Sequence, residues 1–123
     1  MKLFLIFALC LVWVSNAAIA PPRLQAGDTV GFVSPAGRPL AIYPDAATYM
    51  RHVTDALSPL GLKAVFGPHS FSTFGYLAGN DTERYQDIVT FMKDPNVKAI
   101  VANRGGWGCD RILDMFNWTL FST

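Results

Sequence analysis

Charge, cysteine and histidine are all scarce in this chain. Only 15% of its 123 residues are charged, and ten Lys and Arg stand against nine Asp and Glu. That balance excludes a basic grip on nucleic acid and an acidic solvating tail. The two histidines and two cysteines are scattered, whereas a zinc site wants about three or four clustered donors. No Gly-x-Ser-x-Gly elbow occurs, and no glycine-rich run ends in the Lys-Ser/Thr of a P-loop. Long apolar runs are missing too, apart from one at the start.

That run, residues 3–14, follows Lys2 and precedes Ser15, Asn16, Ala17 and Ala18. A basic start, a short apolar core and small residues make the tripartite pattern of a secretory signal peptide. A membrane-spanning helix would need about 20 apolar residues. Ser15 and Ala17 fit the small-x-small rule, so residues 1–17 are expected as a signal peptide and residues 18–123 as the mature chain; an uncleaved signal anchor is the alternative. Cleavage removes Lys2 and Cys10, leaving net zero charge and Cys109 as the one cysteine. One thiol makes no intrachain disulfide, so stability must come from a packed core, marginal at this size. For a chain secreted by a eukaryotic cell, Asn80-Asp81-Thr82 and Asn117-Trp118-Thr119 are candidate glycan acceptors.

Three short apolar runs follow, each flanked by turn residues: 29–33, 62–66 and 97–102. These read as strands. A helix after Asp45 would bury Ala46, Tyr49, Met50, Val53 and Leu57, and Pro59 and Gly61 would stop it. A second, from Asp81 or Thr82, carries Tyr85, Ile88, Val89 and Met92 on one stripe. A last helix would run from Asp110 into Phe116 and bury Ile112, Leu113 and Phe116. Alternating strands and helices imply an α/β fold with a parallel sheet and right-handed crossovers. A fourth strand would be needed to cover the sheet edge left after the third.

The strongest local feature is Arg104-Gly105-Gly106-Trp107-Gly108, between the third strand and the last helix. Glycines allow positive φ and close approach of a ligand, and a helix start behind them would add outward N–H groups and a dipole. Spacing alone allows an anion site or a tight turn without a ligand. Arg111 stands where a dinucleotide fingerprint needs Gly or Ala, which argues against a phosphate or nucleotide binder. Arg104 either captures a carboxylate or pairs with a nearby acid. Ser34, past the end of the first strand, either meets a substrate at the sheet edge or caps its loop. His52 falls on a polar helix face, His69 in an aromatic-rich loop, and Cys109 reads as a small packing residue.

Residues 24–35, with Gly27-Asp28-Thr29-Val30-Gly31 and Ser34-Pro35, resemble the opening strand of the LD-carboxypeptidases, a family that includes microcin-immunity peptidases. Tyr76-Leu77-Ala78-Gly79, running into Arg84, resembles their Tyr-x-Ala-Gly loop, and residues 104–108 resemble their Arg-Gly-Gly-aromatic-Gly signature. The resemblance implies a flavodoxin-like (glutaminase-like) sheet, truncated here after the third strand and its following helix, so that residues 18–123 form a partial N-terminal domain. It also implies a serine peptidase with a Ser-Glu-His triad and no metal or cofactor. Its substrate would be a murein tetrapeptide losing its terminal D-amino acid, with no nucleic-acid partner and no stable membrane span; a homodimer stays open. The nucleophile, glutamate and histidine are expected beyond Thr123. Within the chain, the resemblance assigns oxyanion-hole backbone donors to Gly106 and then Gly105, and a substrate-pocket role to Arg104, with Ser34 beside it. A non-catalytic module binding peptidoglycan fragments is the alternative.

Overall fold

The computed structural model describes residues 20–121, so the expected signal peptide lies outside the described part. Strands and helices alternate as β1 (Thr29–Val33), α1 (Ala46–Leu57), β2 (Lys63–Phe66), α2 (Asp81–Lys93) and β3 (Val97–Ala102). Both strand pairings are parallel and the sheet order is β2-β1-β3. The chain therefore has the α/β architecture that its alternating pattern predicts.

β1 is the central strand because its run of β-branched and aromatic residues can be buried on both faces. Val30 and Phe32 point to one face and form a core with Tyr49 and Val53 of α1. Phe32 stacks on Phe66 at 5.4 Å, and Phe66 and Phe71 approach the Tyr49 ring at about 6 Å, within the range that favours aromatic pairs. Gly31 faces the other way. A Cβ there would stand 2.5 Å from the Phe91 ring of α2, so glycine lets that helix press onto the strand. The two helices thus cover opposite faces of the sheet. β3 is an edge strand, with Ile100 and Val101 exposed.

Asp45 caps α1 as expected, accepting the Thr48 N–H at 2.7 Å. Tyr49 and Val53 are buried, but Met50 is exposed. Pro59 and Gly61 end the helix through a short 3-10 turn, with Gly61 at φ +67°. α2 begins at a capping box, in which Asn80 and Glu83 each bond the other's backbone N–H. Its buried residues are Arg84, Asp87 and Phe91, whereas the expected stripe of Tyr85, Ile88, Val89 and Met92 is only half-buried. Charged residues are the better buried here because backbone groups distant in sequence bind them.

The last segment, Asp110–Met115, is a 3-10 helix rather than an α-helix. Cys109 provides no side-chain cap, and the bonds close at the shorter spacing, Ile112 N–H to Cys109 O and Phe116 N–H to Leu113 O. Ile112 is buried as expected, Leu113 is exposed and Phe116 packs edge-on against Tyr85 at 5.0 Å. Among the described residues, no helix is long and apolar enough to cross a membrane.

Candidate functional site

A sheet ordered β2-β1-β3 sends its connections from β1 and β3 to opposite sides, which opens a crevice beyond the C-terminal ends of those two strands. A cavity of about 360 Å³ lies there. Gly37 and Arg38, from the loop after β1, form part of its wall, and Arg104, Gly105, Gly106 and Trp107, from the turn after β3, form another. Gly75 and Tyr76 close it from the loop before α2.

Arg84 holds these three segments together. Its side chain is fully buried and donates to the carbonyls of Pro35 and Gly108 and to the Asp81 carboxylate. One guanidinium therefore ties α2 to both walls of the cavity. Its Nε is buried without a partner. Gly108 makes the approach possible, since a Cβ there would lie 2.5 Å from Leu77 and 2.9 Å from Arg84 Nη1. Arg111 forks onto Asp81 from the outside, at 2.9–3.2 Å. That hydrogen-bonded pair, with Arg84 second, holds the Asp81 carboxyl below its usual range.

The sheet edge behind the cavity is tied down by a separate network. Asn103 donates its backbone N–H to Val33 O at 2.7 Å and its amide to Ser34 Oγ at 3.0 Å, and it accepts from the Tyr49 hydroxyl at 2.9 Å. Ser34 donates to Ser70 O, and Ser70 to Phe32 O. Further out, buried Asp87 accepts from the His69 backbone and pairs with His69 Nδ1 at 2.8 Å.

Gly105 and Gly106 both line the cavity. Among the described residues, neither amide donates a hydrogen bond to another protein group, so both remain available as donors. Gly106 has φ +143°, a conformation that a side chain would resist. The donors belong to the turn itself; the expected support from an α-helix dipole is absent, because the following helix is a short 3-10 segment. Arg104 is exposed and lines the cavity, and among the described residues it forms no ion pair, which removes the acid-paired reading. Ser34, expected in the pocket, is 3% exposed, bonded to Ser70 and Asn103, and outside the cavity lining. Asn80 is exposed with its side-chain oxygen engaged as the α2 cap, and Asn117 accepts from Thr119. His52 is exposed against Tyr43. Cys109 is a free thiol, half-buried behind the turn.

Sequence reasoning missed Asn103, Asp87 and Arg38. A polar residue directly after a strand, at the sheet edge where ligands bind, was the available signal for Asn103.

The family model described as the LD-carboxypeptidase N-terminal domain matches residues 30–123. The chain belongs to the LD-carboxypeptidase family. A Bacillus subtilis protein named "Probable murein peptide carboxypeptidase" is 36% identical over 100 residues, covering 81% of this chain and 30% of its own length. The murein tetrapeptide carboxypeptidase of Pseudomonas aeruginosa is 29% identical over 85 residues, covering 67% of this chain and 28% of its own. The crystal structure of an MccF-like protein from Bacillus anthracis superposes with a TM-score of 0.75 at 26% identity, covering 85% of this chain and 31% of that one. This LD-carboxypeptidase chain spans about a third of the length of the curated relatives it matches. Its turn at residues 104–108 and its loop at residues 76–79 are the two segments that Arg84 and the Gly37–Leu77 bridge bring to one cavity.

Proposed function

We propose that this chain is the amino-terminal, oxyanion-binding part of a secreted serine-type LD-carboxypeptidase that removes the terminal D-amino acid from murein tetrapeptides. The observation that carries this reading is the turn at Arg104-Gly105-Gly106, where two uncommitted backbone N–H groups sit beside an unpaired guanidinium in one cavity. A terminal amide bond seated there would place its carbonyl oxygen at the glycine amides and its carboxylate at Arg104. As the carbonyl becomes tetrahedral its oxygen gains charge, and a preorganised donor at that point contributes about 2.7–4 kcal/mol of transition-state stabilisation. Gly106 is the favoured donor and Gly105 the second.

Among the described residues, no serine, threonine or cysteine lines the cavity, so none of them offers a nucleophile there. On this reading the nucleophile, glutamate and histidine are supplied from outside these 123 residues, which by themselves are expected to bind without turnover. Purified protein incubated with a murein tetrapeptide should release no D-alanine above a buffer control; release at enzymatic rates would overturn this account. The same bare lining favours a second reading, a non-catalytic module that binds peptidoglycan fragments. The transcript beyond Thr123 separates the two: a Gly-x-Ser-Asp-like segment within the next few tens of residues supports the enzyme, and an immediate stop supports the module. Export rests on the sequence pattern of residues 1–17 and would direct the protein against murein outside the cell that makes it.

A further inference from the structure

The turn that carries the two glycine amides is held at its ends. Glycine restricts its own backbone least of all residues, so the direction of the Gly105 and Gly106 N–H groups must be imposed by their neighbours. At the far end the Gly108 carbonyl accepts from Arg84 at 2.6 Å. At the near end Asn103, the residue before Arg104, is fastened twice. Its backbone N–H donates to Val33 O at 2.7 Å, and its side chain enters the network behind the cavity. Between these fastenings, among the described residues, one backbone bond braces the segment, from Cys109 N–H to Gly106 O at 3.3 Å.

The network has a fixed direction. Ser70 O is a carbonyl and can only accept, so the Ser34 hydroxyl places its one proton there, at 2.9 Å. Ser34 Oγ must then accept from Asn103, which turns the amide nitrogen toward it at 3.0 Å. The amide oxygen is left facing the Tyr49 hydroxyl, which donates to it at 2.9 Å. Ser34, Ser70 and Tyr49 are all buried, where an unmatched donor or acceptor is costly. This run of donors and acceptors admits one orientation of the Asn103 amide, and with it one direction for the backbone entering Arg104.

We propose that Asn103 is the positioning residue of the glycine turn, and that Tyr49 of α1 sets it by holding the amide oxygen. Among the described residues, neither Asn103 nor Tyr49 lines the cavity, so the pair acts through the backbone of residues that do. This assignment rests on the function proposed above, in which the Gly105 and Gly106 amides meet the carbonyl oxygen of a murein tetrapeptide.

The test is an amide-resonance map of the labelled whole protein, free and titrated with a murein tetrapeptide, for the wild type, Tyr49→Phe, Asn103→Asp and a control, Val53→Ala. Tyr49→Phe keeps the aromatic ring and removes the donor, and Asn103→Asp sets an acceptor against Ser34 Oγ. Both should move the Gly105 and Gly106 amides of the free protein and weaken tetrapeptide binding by about threefold to tenfold, the equivalent of one neutral hydrogen bond. Val53→Ala opens the core on the same helix outside the network, and should lower the melting temperature while leaving those amides and the affinity unchanged. A residue with a merely structural role would behave like that control. Tyr49→Phe carries the test if Asn103→Asp fails to fold. Glycine amides unmoved in Tyr49→Phe, an unchanged affinity there, or equal movement in Val53→Ala overturns the role of Asn103 and leaves the reading of the cavity intact. A wild type that binds no tetrapeptide overturns the reading of the cavity, and the role of Asn103 with it.

Discussion

Replacing Arg84 with methionine should unfold this protein more readily than any single change on its surface. Methionine keeps much of the volume and loses every donor. The carbonyls of Pro35 and Gly108, both in buried residues, then have no partner from α2. An unsatisfied buried acceptor costs about 1–3 kcal/mol, so the pair gives about 2–6 kcal/mol. Part of this is offset, because the native state already buries a guanidinium whose Nε has no partner, and methionine relieves that burial. A net loss of about 2–4 kcal/mol follows, large beside the 5–15 kcal/mol of a typical domain. Urea unfolding monitored by tryptophan fluorescence would show the midpoint falling with an unchanged slope. Arg84→Lys should recover only part of the loss: both carbonyls accept from the single nitrogen Nη1, which an ammonium can imitate, but lysine has no second nitrogen for the bond that Nη2 makes to Asp81. A loss below about 0.5 kcal/mol for Arg84→Met, the range of ordinary surface changes, would refute the claim that Arg84 holds the two walls together.

Four further outcomes follow from the same geometry. Gly106→Val should weaken murein tetrapeptide binding and cost about 1–3 kcal/mol in urea unfolding, because the nearest neighbour of an added Cβ, Ala36 at 3.5 Å, leaves room and the φ of +143° is what resists it. Gly108→Ala should be worse tolerated than Gly105→Ala, read as melting temperature, since only the first drives a Cβ into Leu77 and Arg84. The Asp81 carboxyl is held low in the fold by Arg111 and then Arg84, so its contribution is present above the ordinary value of 3.8 and is lost as pH falls through the lowered one; Asp81→Asn should lower stability at neutral pH and flatten the acid limb of a stability–pH curve, so that the two proteins converge as pH falls below about 4. Expressed in a secreting host, the protein should begin at Ala18 by intact-mass measurement, and a start at Met1 would contradict the signal-peptide reading.

The sheet was legible because its strands are short apolar runs closed by turns, and the start of α1 because Asp45 is an N-cap whose partner is three residues away. These are local signals. The buried face of α2 was not legible: periodicity selects Tyr85, Ile88, Val89 and Met92, whereas Arg84 and Asp87 are buried by groups at positions 35, 108 and 69. Nothing near Arg84 in sequence announces two waiting carbonyls. The glycine turn resembled a motif, but only the fold shows that, among the described residues, its amides are uncommitted and Arg104 has no acid partner. Ser34 illustrates the converse. Its position after β1 pointed to the ligand edge, and the bonds to Ser70 and Asn103 turn it into the edge's fastening.

The central claim is that the turn after β3 meets the ligand with its own backbone. Amide chemical shifts of labelled protein titrated with a murein tetrapeptide test it most directly. The account predicts saturable shifts concentrated at Gly105 and Gly106, with Arg104 and Trp107 following. Saturable binding with those amides unmoved, or shifts gathered instead at the smaller hollow between Arg23 and Lys98, would contradict it.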